Sequence, residues 1–282
     1  MERVKRALAL YISYFLFRRT PTLVYSVERS GSVALLHSLK SHGVFAFGAH
    51  YLSPEKLAQQ QHHSGTAGWA SKYIISKRKP AKVISLVRTP IESMLSTFAR
   101  EYYGEQASQP EAAASQSTSD ELSEEFCRTY LQSDQYLHPL RWFETEFQPT
   151  LGIDVYQHAF DKQQRFARFH EKSYDVLLLG TELADQQKSQ LVAEFVGIPQ
   201  LEISSASLAA QTSASRKQHR LPPGRPGEQS DYAQQYKRLK QHVVIPENYL
   251  DAIVDSRYTQ HFFSEEGREA IRLKYGGGDR RV

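Results

Sequence analysis

The chain has 282 residues, of which 40% are hydrophobic and 23% charged, so it is long and apolar enough to form one large α/β domain or two small ones. Its 35 basic and 31 acidic residues give a formal net charge of +4, which is too even a balance for a nucleic-acid coat and favours a small anionic ligand. The single cysteine, Cys127, excludes an intrachain disulfide and any zinc site that needs several cysteines.

The first 19 residues imitate a signal peptide, because basic residues flank the apolar run from Ala7 to Phe17. That run is too short to cross a bilayer, which takes about 20 residues, and no small-x-small cleavage site follows it. We predict an N-terminal helix over residues 1–19 that packs on the domain or lies in a membrane interface, the packed arrangement being favoured. The expected location is the cytoplasm, with peripheral contact at the inner face of the membrane in the second case.

Four apolar segments alternate with helical patterns along the rest of the chain. They cover residues 23–27, 44–47, 82–87 and 174–179, and such nearly continuous apolar runs are typical of parallel strands buried on both faces. The alternation predicts an α/β fold: a three-layer sandwich around a central, mainly parallel sheet, formed by a single domain over residues 20–282.

Two segments lack the pattern of a core element. Residues 105–123 are poor in large apolar side chains and predict a flexible surface insertion. Residues 213–229 predict a basic loop, which contains Arg216 and Arg220. Helical patterns fill the C-terminal region, where a last helix is predicted to begin after Ser264.

The first strand breaks into Glu28-Arg29-Ser30-Gly31-Ser32 before a helical pattern resumes. Such a turn into a helix N-terminus favours anions, because unpaired backbone N–H groups, the positive end of the helix dipole and a fixed cation converge there. Gly31 permits close approach of a ligand to the backbone. The loop therefore predicts phosphate binding. The chain has no Gly-x-x-x-x-Gly-Lys sequence, which disfavours an ATP-driven phosphotransferase of the Walker type.

A second motif follows the strand over residues 82–87, where Arg88 precedes Thr89-Pro90 and a helix. Proline fits the first position of a helix. Ser93 and Ser96 share a polar stripe of this helix, so Arg88 and Ser96 could grip one anion. The alternative is that Arg88 is merely a cation at a strand end and that the serines form a solvated helix face.

The two motifs together resemble the sulfotransferase superfamily that uses 3′-phosphoadenosine 5′-phosphosulfate (PAPS). The shared pattern is a strand, Arg-Ser-Gly-Ser and a helix, then a strand, an arginine, a proline-started helix and a serine eight residues after that arginine. Residues 179–183, Leu-Gly-Thr-Glu-Leu before an amphipathic helix, are similar to another segment of the superfamily. The stretch from Tyr249 to Phe263 resembles a bacterial family named for capsular polysaccharide synthesis. The resemblance implies a P-loop-like sulfotransferase fold.

The resemblance also implies the residues that bind the co-substrate. The loop after the first strand would hold the 5′-phosphosulfate, with Val33 standing where many members have a second hydroxyl residue. Arg88 and Ser96 would hold the 3′-phosphate, and the late basic loop would fold over that phosphate or over adenine, a solvated loop being the alternative. The predicted binding residues are Arg29, Ser30, Gly31, Ser32, Val33, Arg88, Ser96, Arg216 and Arg220.

Sulfuryl transfer to a hydroxyl needs a base for the acceptor's proton and a cation for the leaving phosphate. Arg29 is the predicted cation, although many members have lysine there. His50 ends the second strand, at the rim where the first strand also ends, and related enzymes commonly hold Glu or His around that position. We predict His50 as the base and Glu28 as the alternative base. The competing interpretations are that His50 only bonds a backbone carbonyl and that Glu28 orients Arg29.

The predicted function is transfer of a sulfuryl group from PAPS to a hydroxyl of a carbohydrate, such as a capsular or other cell-surface glycan. No metal is expected, because the histidines show no metal-ligand spacing, and no nucleic-acid partner is expected. Two alternatives stay open: a non-catalytic nucleotide- or glycan-binding component of polysaccharide synthesis, and a divergent nucleotide-dependent kinase. A magnesium requirement with ATP would favour the kinase.

Overall fold

The computed structural model describes residues 20–59, 65–107, 119–203 and 236–277. These residues belong to two compact units, the first with residues 20–87 and 142–203 and the second with residues 88–141 and 236–277. The predicted N-terminal helix and the predicted basic loop lie outside the described residues, and the single domain over residues 20–282 stays a prediction.

The first unit is built on a five-stranded sheet with the strand order β2-β1-β3-β5-β4. The pairs β1–β2, β1–β3 and β3–β5 are parallel, and only β4 runs antiparallel, beside β5. The predicted α/β class with a mainly parallel sheet is therefore confirmed. The strands are β1 (Thr22–Tyr25), β2 (Ala46–Ala49), β3 (Ala81–Val87), β4 (Phe166–Glu171) and β5 (Tyr174–Gly180).

The sequence patterns located every parallel strand but missed β4. The residues of β4 are intermediate or exposed at every position except Ala167, and its sequence Phe-Ala-Arg-Phe-His-Glu mixes apolar and charged side chains. A strand at the edge of a sheet needs no continuous apolar run, because one side of it faces no neighbouring strand. It pairs with β5 through the turn at Lys172 and Ser173.

Helices of the first unit connect the strands, and the longest of those described ends at a glycine. Gly197 has a left-handed backbone (φ 83°) at the C-terminus of the helix that contains Val192 and Phe195, and Gly-Ile-Pro at residues 197–199 is a typical sequence signal for a helix end. The α-helices are α1 (Ser32–Ser41), α2 (Pro54–Gln59), α3 (Gly65–Ala70), α7 (Gln148–Leu151) and α8 (Asp185–Val196), with π-helical turns at Ser71–Ile75 and Phe143–Phe147.

The core of the first unit lies between the parallel strands and the helices that follow them. Its apolar side chains come from β1, β3 and β5 and from α1 and α8, which explains why those strands read as uninterrupted apolar runs. The buried members include Val24, Leu35, Leu39, Ile84, Leu86, Leu177, Leu179, Val192 and Phe195.

The second unit is helical in its described residues. The last helix begins after Ser264, whose hydroxyl accepts a hydrogen bond from the Gly267 N–H at the N-cap, as predicted. Its α-helices are α4 (Pro90–Ala107), α5 (Ser119–Glu125), α9 (Glu247–Val254), α10 (Arg257–Phe262) and α11 (Glu265–Tyr275), with a π-helical turn at Phe126–Leu131, a 3₁₀ turn at Asp134–Leu137 and a further helix over residues 236–242. The boundary between the units falls within α6 (His138–Trp142), whose last residue belongs to the first unit.

The segment predicted as a flexible insertion, residues 105–123, is helical at both of its described ends. Residues 105–107 continue α4, residues 119–123 belong to α5, and residues 108–118 lie outside the described residues. Leu122, the one large apolar residue in the sequence of this segment, is buried. A single leucine at the right helical position was too weak a signal to outweigh the Ala, Ser, Gln and Glu around it.

Candidate functional site

The loop between β1 and α1 has an unusual backbone. Arg29 and Gly31 both adopt left-handed conformations, with φ angles of 62° and 87°. For arginine this conformation is costly, and such outliers cluster at ligand-binding positions. Gly31 is the N-cap of α1 and offers no side-chain hydrogen bond, and the first turn of the helix carries no acidic residue. The positive end of α1 is therefore neither capped nor neutralised by these groups, as an anion site requires.

The side chains of this loop differ sharply in burial. Ser30 is only 2% exposed, and its hydroxyl has no hydrogen-bond partner within the described residues, although buried hydroxyls nearly always have one. Ser32 is also buried, whereas Val33 is 61% exposed at the second position of α1. The loop thus combines an unsatisfied buried hydroxyl with the backbone N–H groups at the start of α1, and phosphate binding there stays a prediction.

The loop also lies at the topological switch point of the sheet. From β1 the chain passes to β2 on one side, and from β3 it passes to β5 and β4 on the other side. In open α/β sheets, ligands bind outside the carboxyl ends of the strands where the connections diverge in this way. The carboxyl ends of β1 and β3 flank that point, and the loop at residues 28–32 follows β1 directly.

His50 is held beside the start of this loop. It follows β2, and its Nδ1 lies 2.7 Å from the carbonyl oxygen of Ser26. Because a carbonyl oxygen only accepts, Nδ1 carries the proton, and Nε2 of the neutral ring keeps its lone pair. The Trp142 indole N–H donates to the His50 carbonyl (3.1 Å), and the Ser26 hydroxyl accepts from the Leu86 N–H (2.7 Å). The bond to a backbone carbonyl that the competing interpretation foresaw is therefore present, and the role of His50 as a base stays a prediction.

Glu28, the alternative base, interacts electrostatically with Tyr51, the residue after His50. The pKa of the Tyr51 phenol is raised by burial first, and then by the negative charges of Glu28 and Glu146. Lys56 places its Nζ 5.2 Å from the centre of the Tyr51 ring. Glu28 and His50 therefore belong to one region at the carboxyl ends of β1 and β2, as the sequence predicted from their positions.

Glu146 is the residue of this region that sequence reasoning missed. It is completely buried, and its carboxylate accepts hydrogen bonds from the Tyr25 hydroxyl (2.6 Å), from the backbone N–H groups of Leu52 (2.7 Å) and Ser53 (3.1 Å), and from the Ser53 hydroxyl (2.8 Å). One signal was present: Glu146 follows Trp142 and Phe143 at helical spacing and precedes Phe147, so it lies on an apolar stripe. Those three aromatic residues are buried, as expected for core residues.

The second predicted motif lies in the second unit, where Arg88 is already engaged. Its guanidinium donates to the Glu92 carboxylate (3.2 Å) and to the Tyr236 hydroxyl (3.1 Å), and the Tyr258 hydroxyl donates to its carbonyl oxygen (2.8 Å). Ser96 is 6% exposed and Ser93 is buried too, so the alternative of a solvated serine face is wrong. Most other residues in this part of α4 are apolar and are buried too, so the helix is buried on nearly all sides.

Glu92 gathers three cations in the second unit. Besides Arg88, Lys240 and Lys274 place their Nζ atoms 3.1 Å and 3.3 Å from its carboxylate. Burial alone would raise the pKa of Glu92, but the charges of Lys240, Arg88 and Lys274 outweigh it and lower the pKa. Glu92 and these three cations together carry a net charge of +2, and their side chains are partly buried.

Arg216 and Arg220 lie outside the described residues, so their predicted roles stay predictions. In the part of the chain that the structure describes, no three His, Cys, Asp or Glu side chains are arranged to hold a metal ion. Within the same residues, no helix has both the length and the apolar character that a membrane crossing requires.

A comparison with protein families gave a match to part of the chain. Residues 129–264 match a family described as "Putative capsular polysaccharide synthesis protein". The match covers just under half of the chain and supports the capsular part of the predicted resemblance. It includes Glu146, β4, β5 and the tail from Tyr249 to Phe263, and it leaves out the loop at residues 28–32. Comparisons with curated proteins and with solved structures gave no match.

Proposed function

We propose that this chain is a PAPS-dependent sulfotransferase of capsular polysaccharide synthesis, which transfers a sulfuryl group to a hydroxyl of a carbohydrate. The observation that supports it most strongly is the loop after β1, where two left-handed residues present the uncapped start of α1 at the switch point of a parallel sheet. The family match supports the pathway, and the resemblance of the two motifs supports the co-substrate. A P-loop-like fold in three layers is part of the same proposal.

In the proposed reaction, Nε2 of His50 accepts the proton of the acceptor hydroxyl while the hydroxyl oxygen attacks sulfur. An O–S bond forms as the bond between sulfur and the bridging phosphate oxygen breaks, so the products are a sulfate ester and 3′-phosphoadenosine 5′-phosphate (PAP). Arg29 and the N–H groups at the start of α1 would stabilise the charge that develops on the bridging oxygen. Glu28, whose negative charge raises the pKa of Tyr51, is the second candidate for the base.

Calorimetric titration with PAP, ADP and ATP tests the co-substrate. We expect PAP to bind most tightly and Arg29→Ala to weaken binding about 10- to 100-fold, as loss of a charge-assisted hydrogen bond does. Arg78→Ala is the matched control, because Arg78 also has a left-handed backbone (φ 48°) but precedes β3, at the other end of the strands. Arg88→Ala should remove the preference for the 3′-phosphorylated nucleotide. Absence of binding, or magnesium-dependent preference for ATP, would refute the proposal and, in the second case, indicate a kinase.

Transfer of ³⁵S from labelled PAPS to capsular polysaccharide fractions tests catalysis. His50→Gln should bind PAP like the wild type and lose transfer, because it removes the base and retains a polar side chain. A variant that transfers at the wild-type rate would exclude His50 as the base and direct attention to Glu28→Gln. A wild-type protein that binds PAP but transfers to no fraction would support the non-catalytic alternative.

A further inference from the structure

The environment of Glu146 is built for an ionised carboxylate. Burial alone would raise its pKa, but hydrogen bonds from Tyr25 and from the backbone and side chain of residues 52 and 53 outweigh burial and lower the pKa. Lys56 adds a cation 3.7 Å from Oε2. The pKa of Tyr25 is raised by its own burial and then by Glu146, so its hydroxyl stays protonated and continues to donate. The carboxylate is therefore a fixed acceptor at neutral pH.

The partners of Glu146 lie on both sides of the hydrogen bond that orients His50. Tyr25 immediately precedes Ser26, whose carbonyl accepts from His50 Nδ1, and Leu52 is two residues after His50. The same helical segment that carries Glu146 also carries Trp142, whose indole binds the His50 carbonyl. One carboxylate thus holds the end of β1 and the segment after β2 in the register that the bond between His50 and Ser26 requires.

The carboxylate at this position satisfies donors from three residues. Removing it alone would leave those buried donors without an acceptor, which costs more than replacing a whole ion pair by apolar residues. What an apolar side chain lacks is several acceptor sites that hold Tyr25 and residues 52–53 at once. This points to a requirement for geometry.

We propose that Glu146 is a positioning residue, which keeps His50 in the Nδ1–H tautomer with Nε2 available to accept the acceptor's proton. The inference rests on the proposed function, in which His50 is the base. It also assigns a role in catalysis to the region covered by the family match, which lacks the phosphate-binding loop.

The test is ¹⁵N NMR of the histidine side chains in the full chain at pH 8, with His50 assigned by its loss in His50→Gln. We expect His50 to be Nδ1-protonated in the wild type. Tyr25→Phe and Ser53→Ala each remove one hydroxyl that donates to Glu146. The ratio of the Nδ1–H to the Nε2–H tautomer should fall about three- to tenfold in each variant, which is the change expected if the Nδ1–H tautomer loses the full free energy of one hydrogen bond. Glu144→Gln, two residues before Glu146 and partly exposed, should leave the ratio unchanged.

Substitution of Glu146 itself separates geometry from charge. Glu146→Gln retains at Oε1 the acceptor for the Tyr25 hydroxyl and for the Leu52 and Ser53 N–H groups. Its amide N–H can donate to the Ser53 hydroxyl in place of the bond that this hydroxyl makes to Oε2, so the ratio should stay within about twofold of wild type. Glu146→Ala should shift the ratio most if it folds. If Glu146→Ala does not fold, the tautomer ratios of Tyr25→Phe and Glu146→Gln test the inference. An unchanged ratio in folded Tyr25→Phe and Glu146→Ala, or a loss in Glu146→Gln as large as in Glu146→Ala, would overturn the inference.

Titration of the same samples with PAP distinguishes the two proposals. Failure of the wild type to bind PAP would count against the sulfotransferase proposal even if the tautomer depends on Glu146. Normal PAP binding with an insensitive tautomer would count against the positioning role alone.

Discussion

The three cations around Glu92 make Glu92→Gln the most informative stability experiment in the second unit. The substitution keeps the size of the side chain and removes one charge from contacts of 3.1 to 3.3 Å. Exposed ion pairs contribute about 0.2–1 kcal/mol each, and breaking a buried pair costs about 3–5 kcal/mol. The Glu92 side chain is 22% exposed and its partners range from 18% to 49%, so we expect a loss of about 2 kcal/mol. In a protein of this size that lowers Tm by roughly 4–8 °C.

The pH dependence identifies Glu92 as the cause. Because folding lowers the pKa of this carboxyl below its ordinary value of 4.5, the unfolded chain binds the proton more readily. The stabilisation is therefore fully present above about pH 4.5 and is lost as pH falls through the folded-state pKa. Thermal scans of wild type and Glu92→Gln at low salt should differ at pH 7, and the difference should shrink as pH falls below about 4.5 toward pH 3.

The matched control is Glu125→Gln, which breaks a more exposed pair with Arg128 (2.6 Å) in the same unit. It should cost less than about 0.5 kcal/mol, because a pair one helical turn apart on the surface contributes little. Equal Tm values for wild type and Glu92→Gln at pH 7, or a difference that persists undiminished at pH 3, would refute the reasoning.

Three further substitutions test local features of the first unit by urea denaturation. Ser26→Ala should cost about 1–3 kcal/mol, because it leaves the buried Leu86 N–H without its acceptor, and no loss would show that another group replaces the hydroxyl. Gly31→Ala should cost about 1–2 kcal/mol from its left-handed backbone alone, since nothing lies within 4 Å of the new methyl group, and a larger loss would indicate a steric clash. Gly180→Ala should cost about 1–3 kcal/mol, because its Cβ would lie 3.1 Å from the Arg165 carbonyl oxygen, and an unchanged midpoint would mean that the loop shifts freely.

Features that depend on local chemistry were predictable from the sequence. Parallel strands read as apolar runs because helices cover them, and the turn at Arg29–Ser32 could be located because glycine is the residue that adopts a left-handed conformation most cheaply. The helix stop at Gly197 and the cap at Ser264 follow from backbone groups within a few residues. Each of these sequence signals lies within a few residues of the structural feature that it predicts.

Burial of polar side chains was not predictable in the same way. Ser93 and Ser96 formed a polar stripe by helical spacing, yet both are buried in the folded chain. Periodicity gives the direction of a side chain on its own helix and not what packs against it. The edge strand β4 was missed for a related reason, since its pairing depends on β5.

The sequence by itself determined the α/β class, the position of the turn at residues 28–32 and the position of His50 at the end of a strand. Only the tertiary structure decided which nitrogen of His50 carries its proton, because that depends on the carbonyl of Ser26, 24 residues away. Glu146 lies still farther along the chain from its partners, at separations of 93 to 121 residues. Contacts over such distances form only when the sheet assembles, since no local propensity brings these residues together.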